Sequence, residues 1–198
     1  SQIVGDRRKW AVGLNIDEND LLDQMGGRIQ NPIAAELTSD AAPVKDIIKT
    51  GDDIDLYDFP TMMTSEKDGG RYFASGIAVI KDPDTGIRNI SIHRQMVTGK
   101  DKTGFIMIPR QARQIYEKYC ARGEAMPVAM VYGTHPAIFF AASFTTTFGN
   151  DELGLAGALM EEPVRLVKCE SIDLEVPAEA EIVIEGEVLP NVLEPEGP

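Results

Sequence analysis

Arg71-Tyr-Phe-Ala-Ser-Gly-Ile-Ala-Val-Ile-Lys81 runs into Asp82-Pro-Asp-Thr-Gly86 and then into Arg88-Asn-Ile-Ser-Ile-His-Arg-Gln-Met-Val97. The first run is rich in β-branched and aromatic residues and is predicted as a strand with an interior glycine. The middle run has turn chemistry: Pro83 pre-sets φ, and Gly86 accepts a positive φ. The third run is the returning strand, so residues 71–98 form a hairpin. Phe105-Ile-Met-Ile108 is predicted as a third short strand.

Beyond the hairpin the signals alternate between helix and strand. Pro109 opens a helix at a position where its missing N–H is harmless. Ala112, Ile115, Tyr116, Tyr119 and Cys120 fall at helical spacing and form one apolar stripe that ends near Gly123. Met126-Pro-Val-Ala-Met-Val-Tyr132 is a continuous apolar run, as in a strand buried on both faces. His135-Pro136 starts a second helix, and Asp151 can cap a third that runs to Met160. Val164-Arg-Leu-Val-Lys-Cys169 and Ala180-Glu-Ile-Val-Ile-Glu185 alternate as half-exposed strands.

On the N-terminal side, Trp10-Ala-Val-Gly-Leu14 reads as a short strand. Asn19-Asp-Leu-Leu-Asp-Gln-Met25 reads as a helical turn or two stopped by Gly26-Gly27, and Asn31-Pro32 and Ala42-Pro43 are breakers. These residues look like the end of one unit and a linker. The fold class is α+β with a mainly antiparallel sheet, a barrel being one form of it.

With 198 residues the chain can bury a core without staples. Its 19 Lys+Arg against 32 Asp+Glu give a formal charge of −13. That charge repels a phosphate backbone and an anionic membrane surface, which argues against a dedicated nucleic-acid binder and a polybasic anchor but leaves room for a local basic pocket for one small anion. No apolar run reaches the ~18 residues of a membrane span. No apolar stretch follows Arg7-Arg8, so no signal peptide is expected, and the location is expected to be cytoplasmic. The two cysteines, Cys120 and Cys169, cannot build a cysteine cluster and are expected to be reduced core residues. The two histidines, His93 and His135, exclude a histidine-rich zinc site but not a site of carboxylate and amide oxygens.

Nucleotide-binding glycine loops, the paired-histidine zinc motif and the nucleophile elbow are missing. In the strand that begins at Arg88, Asn89, Ser91 and His93 share one face by alternation. They either line a ligand site or face solvent. Arg94, on the other face, either reaches outward at the strand end or is held for an anion. Ser143-Phe-Thr-Thr-Thr147 is a hydroxyl-rich stretch that is either a phosphate loop or an ordinary surface loop. By pattern, Glu152 is a favourable charge in the first turn of a helix. Glu194 and Glu196 read as solvated tail residues.

Together, Asp68-Gly-Gly-Arg-Tyr72, Lys81-Asp-Pro-Asp-Thr-Gly86, Asn89-Ile-Ser-Ile-His-Arg-Gln95, Pro127-Val-Ala-Met-Val-Tyr-Gly-Thr-His-Pro-Ala137, Glu152-Leu-Gly-Leu-Ala-Gly157 and Glu162-Pro-Val-Arg-Leu-Val-Lys-Cys169 resemble the UbiD family of reversible (de)carboxylases. Asp173-Leu-Glu-Val-Pro-Ala-Glu-Ala-Glu-Ile-Val-Ile-Glu-Gly186 extends the resemblance. Members of that family use prenylated flavin mononucleotide (prenylated FMN) to decarboxylate aromatic or α,β-unsaturated acids. The resemblance implies a flavin-reductase-like split β-barrel with flanking helices over residues 50–198. Residues 1–49 would then be the remnant of an N-terminal domain and a linker, with the C-terminal domain absent.

By position, the resemblance makes Asn89 and Glu152 ligands of a divalent metal, Mn²⁺ or Mg²⁺, with K⁺ as an optional further ion. Arg94 falls on the catalytic arginine. Ile92 and His93 would lie beside the flavin ring, and Ser143, Phe144 and Thr145 would contact the cofactor. A third ligand, often histidine in the family, falls at Pro109, Arg110 or Gln111. None is histidine: Gln111 could offer an amide oxygen, or Arg110 could bind the phosphate directly. Glu196 falls on the first acid of a Glu-Arg-Glu or Glu-Arg-Asp trio, and the second acid would lie beyond Pro198.

The expected partner is a small aromatic carboxylic acid, with phenolic and benzoic acids preferred because of His93. The full-length protein is expected to be a homo-oligomer, and the 198-residue chain is expected to be inactive by itself. The alternatives are a module that binds flavin phosphate without catalysis, and a split barrel that uses plain FMN.

Overall fold

In the computed structural model, which describes residues 5–39 and 41–196, the 71–98 hairpin is the middle of the larger sheet. In chain order the elements are α1 (Arg7–Leu14), α2 (Leu21–Arg28), β1 (Glu36–Leu37), β2 (Tyr72–Lys81), β3 (Arg88–Gly99), β4 (Lys102–Thr103), α3 (Gln111–Arg122), β5 (Met126–Tyr132), α4 (Pro136–Ser143), α5 (Leu153–Met160), β6 (Arg165–Lys168), β7 (Glu175–Pro177) and β8 (Ile182–Val188). Single 3-10 turns at Pro43–Lys45, Gly51–Asp53 and Leu56–Asp58 punctuate the stretch before β2. Expectations for residues 1–4 and 197–198 lie outside the described residues.

The larger sheet has the order β4-β3-β2-β5-β8, antiparallel throughout, and curls into a half-barrel. The second sheet, β1-β6-β7, pairs β1 parallel to β6. The turn between β2 and β3 is as expected: Gly86 sits at φ 71°, and its N–H closes on Asp82 O at 2.8 Å.

Alternation explains the apolar runs, because both faces of the sheet are covered. Ile77, Val79, Ile90, Ala129 and Val131 face a core shared with α4 and α5. Ala78, Ile80, Met126, Val128 and Met130 face Ala112, Ile115 and Tyr116 of α3. Helix α5, Leu-Gly-Leu-Ala-Gly-Ala-Leu-Met, is buried along nearly all its length. A Cβ on Gly157 would lie 2.5 Å from the carbonyl oxygen of Ile33, so only glycine allows the 32–33 segment to pass against α5.

Several expectations are corrected. Residues 10–14 belong to a helix, not a strand. The Asp6 side chain accepts from Arg8 N, Asn15 ends the helix in the left-handed region, and Trp10, Ala11 and Leu14 face the core. A five-residue apolar window cannot separate the two periods. Helix α2 runs through Gly26-Gly27 to Arg28, because the Arg28 guanidinium fastens its last turn to Leu14 O and Leu159 O at 3.0 and 2.7 Å. Residues 105–108 form no strand. The ladder on β3 stops after the two residues of β4, and the segment is held by side chains instead. Helix α3 begins at Gln111, after Pro109 rather than at it. Trp10, Leu14, Ile16 and Leu21 share the core of β2 and β5.

Candidate functional site

Strand β3 enters the molecule with Asn89, and helix α5 begins just after Glu152. The fold brings the two together at the edge of the sheet. Asn89 Nδ2 donates to Glu152 Oε1 at 3.0 Å and to Gln111 Oε1 at 2.9 Å. Gln111, in the first turn of α3, donates through Nε2 to Thr146 O at 2.8 Å. Thr146 Oγ1 donates to Glu152 Oε1 at 2.8 Å. Four residues from β3, α3, the loop after α4 and the start of α5 thus close a ring. Glu152 Oε2 also accepts from Ile90 N at 3.0 Å.

Asn89 and Glu152 are only 5% and 2% exposed. Burial pushes the Glu152 carboxyl above the usual carboxylate range, while the Ile90 N–H, Thr146 and Asn89 pull it back. Asn89 Oδ1 is buried without any hydrogen-bond partner. Such orphaned acceptors are rare and call for an explanation. Turned over, the amide would present Oδ1 to the oxygens of Glu152 and Gln111, an arrangement that a cation between them would favour. The donor set of one carboxylate and two amides suits a hard cation such as Mg²⁺ or Mn²⁺ and not zinc. Among the described residues there is no group of three or more His, Cys, Asp and Glu arranged to hold a metal. A cavity of about 10 Å³, room for one water-sized species, is lined by Asn89, Gln111 and Phe148 among others.

Beside this ring lies a cluster of charges. Arg88 Nε and Nη2 donate to Asp151 Oδ2 at 3.0 and 2.6 Å, and its Nη1 donates to Glu175 Oε2 at 2.9 Å. Lys81 Nζ donates to Glu175 Oε1 at 2.7 Å. Burial alone would raise the Glu175 carboxyl, but Lys81 and Arg88 hold it below its ordinary value.

Farther along β3, Arg94 is exposed but not free. Its Nε donates to Glu196 Oε1 at 2.9 Å, and its guanidinium lies 5.6 Å from the centre of the Tyr72 ring. Nη1 and Nη2 make no hydrogen bond among the described residues. Glu196 is therefore not a solvated tail residue: its side chain is 17% exposed, and Glu194 beside it pairs with Lys102. One feature brings both residues to the sheet. The chain after β8 is pinned by Tyr116, whose hydroxyl donates to Leu189 O and accepts from Asn191 N, and then returns to β3 and β4. Burial raises the Tyr72 phenol, and the charge of Glu196 adds to the effect.

His93 has a different role. Its Nδ1 faces the Ile106 carbonyl at 2.9 Å and must carry the proton there, so Nε2 accepts from Ser91 Oγ at 2.9 Å. Its ring stacks on Phe105, centroids 4.6 Å apart, and burial lowers its pKa below the usual histidine value. His93 therefore latches residues 105–106 to β3, and Ile92 beside it is half-buried. Arg110 is exposed. Ser143, Phe144 and Thr145 are exposed too; the Ser143 hydroxyl donates to Phe140 O at 2.7 Å and Phe144 leans on Phe140.

The structure thus gathers Asn89, Gln111 and Glu152 in one place and Arg94 and Glu196 in another. The sequence reading missed Thr146, Tyr72, Arg88 and Asp151. Thr146 lies inside the hydroxyl run already singled out, and Tyr72 ends the quoted Asp68–Tyr72 stretch, but nothing in either stretch marks which residue turns inward. A cavity of about 530 Å³ lined by His135, Ile138, Met160 and Val164 lies elsewhere and includes none of the named site residues.

A family model described as "UbiD: 3-octaprenyl-4-hydroxybenzoate carboxy-lyase Rift-related domain" matches residues 35–198. Anhydromevalonate phosphate decarboxylase of Methanothermobacter thermautotrophicus is 34% identical over 198 residues, 100% of this chain and 45% of that protein. Phenolic acid decarboxylase of Bacillus subtilis is 37% identical over 153 residues, 74% of this chain and 32% of that protein. Among solved structures, the UbiD-class enzyme HmfF from Pelotomaculum thermopropionicum, in an evolved dimeric form in complex with prenylated FMN, superposes with a TM-score of 0.92 at 41% identity, covering 98% of this chain and 46% of that one. The vanillic acid decarboxylase of Sedimentibacter hydroxybenzoicus superposes at 0.91 and 29% identity, covering 98% and 44%. The chain thus spans less than half the length of each of these relatives.

Proposed function

This chain belongs to the UbiD family, and from that membership we propose that it is the cofactor-binding part of a prenylated-FMN-dependent (de)carboxylase. The observation that carries the reading is the orphaned Asn89 Oδ1 beside Glu152, on the strand that also bears the Arg94–Glu196 pair. Five residues separate Asn89 from Arg94, roughly 17 Å of extended strand. The phosphate of an elongated ligand would be held near Asn89, and the farther part of the same strand carries Arg94.

In this reading Asn89 and Glu152 would hold Mn²⁺ or Mg²⁺, whose positive charge would serve the flavin phosphate, and the amide oxygen of Gln111 would be the third donor. Arg110 is the alternative, acting on the phosphate itself. When bound, prenylated FMN supplies the electron sink for the carbanion-like centre left by departing CO2. The chain's own residues orient and protect. Arg94 keeps Nη1 and Nη2 for a substrate carboxylate, while Nε stays with Glu196. Glu196, by accepting from Nε, turns the other two nitrogens of the guanidinium toward that carboxylate. Tyr72 covers one face of the guanidinium.

The sheet is read as one part of a split barrel. The substrate is read as a small aromatic acid, supported by relatives named for phenolic and vanillic acids, in a cytoplasmic homo-oligomer. No helix among the described residues is long and apolar enough to cross a membrane.

The test is coexpression of the chain with a flavin prenyltransferase, followed by absorption spectroscopy and native mass spectrometry. The expected result is bound prenylated FMN with one divalent metal. A bound mass of plain FMN alone would favour a plain flavin module. Absence of any flavin would overturn the reading.

A further inference from the structure

We infer that Arg88 and Asp151 are positioning residues for the Asn89–Glu152 pair: the bridge between them fixes the separation of the two oxygen donors, and Glu175 fixes the bridge. The inference rests on the cation reading above. Each bridge residue immediately precedes one of the donors in the chain. A guanidinium is a rigid planar fork, so its bonds to Asp151 at 3.0 and 2.6 Å and to Glu175 at 2.9 Å hold the head of Arg88 against two carboxylates at once. Asp151 has a second task. Its other oxygen, Oδ1, accepts from Leu153 N at 3.0 Å and caps α5. One carboxylate therefore ties the start of α5 to the start of β3. Glu175 carries the same cluster to β7 and, through Lys81, to the end of β2, where Lys81 pairs with Arg88 across the ladder.

Buried ion pairs add little net stability over apolar packing, because desolvation offsets their attraction. What four charges from four elements do specify is register. If the bridge slips, Asn89 and Glu152 move apart, and donors that cannot close on a cation bind it weakly. Partners that orient metal ligands typically account for ~10–100-fold in metal affinity.

The test titrates Mn²⁺ into the full chain in the presence of FMN and reads free Mn²⁺ by electron paramagnetic resonance. Arg88→Lys keeps the charge and loses the fork. Asp151→Asn keeps the size and the cap and loses the ion pair. Both are expected to bind Mn²⁺ ~10–100-fold more weakly per folded molecule. The double variant is expected to be no weaker than the weaker single one, because the two residues act as a unit. A merely structural role would lower the thermal midpoint and leave Mn²⁺ affinity unchanged. Affinity within about twofold of the unsubstituted chain in the folded variants would overturn the inference; if Arg88→Lys does not fold, Asp151→Asn decides alone. An unsubstituted chain that binds no Mn²⁺ would overturn the cation reading itself, and the positioning role with it.

Discussion

The guanidinium of Arg94 lies 5.6 Å over the ring of Tyr72, so the cation proposed to receive a substrate carboxylate rests on an aromatic face at the first residue of the neighbouring strand. A cation–π contact at a partly exposed site contributes ~0.5–1 kcal/mol. Tyr72→Phe keeps the face and should leave benzoate-type ligand binding within a fewfold of the parent. Tyr72→Leu should weaken it further, and Arg94→Ala should abolish it, as read by ligand-observed NMR. Equal binding by all three variants would refute the assignment of Arg94.

Glu152→Ala is expected to destabilise the chain even without any ligand. The substitution leaves the Ile90 N–H and the Thr146 hydroxyl without their acceptor in a site where Glu152 is 2% exposed. A buried donor left unpaired costs ~1–3 kcal/mol. Urea unfolding of the parent and the variant measures the difference, and Glu152→Gln should recover part of it.

Ile115 of α3 is 2% exposed and packs on Ala78, Ile80 and Met130. Ile115→Ala should lose ~2–5 kcal/mol through transfer and cavity terms. An unchanged denaturation midpoint would mean that α3 does not seat on this face of the sheet.

His93 supplies a pH signature. Its folded pKa lies below the ordinary 6.5, with burial the main cause and the bond to Ile106 opposing it. As pH falls through 6.5, the unfolded chain takes up the proton before the folded chain does. Stability is therefore fully present above that value and is lost as pH falls toward the folded pKa. His93→Gln should remove this part of the slope between neutral and mildly acidic pH, as measured by denaturant titration at each pH.

The hairpin was legible because Pro83 and Gly86 mark a turn between two runs of the right length, and β5 because seven consecutive residues from Met126 to Tyr132 are nearly all apolar. The helix at Arg7–Leu14 was not, since five apolar-rich residues fit either period and its caps, Asp6 and Asn15, lie outside that window. β1 and β7, at two and three residues, are too short to carry a pattern. Phe105 to Ile108 looks like a strand but owes its position to the stack on His93 and the bond to Ile106. In the site, local pattern alone reads Glu152 as a helix-start charge and Glu196 as a solvated tail residue. Their partners stand 63 and 102 residues away. Family resemblance drew attention to both positions; side-chain geometry then added Thr146, Tyr72, Arg88 and Asp151.

The closed ring of Asn89, Gln111, Thr146 and Glu152 also bears on when order is acquired. Each member is held by at least two bonds before any ligand arrives. The rotamer and backbone entropy lost in arranging them is therefore spent during folding and does not have to be spent again on association. A cation that seats here meets residues already gathered, and only the Asn89 amide has to turn over to receive it. Amide exchange at Ile90 should be as slow in the free chain as in the complex.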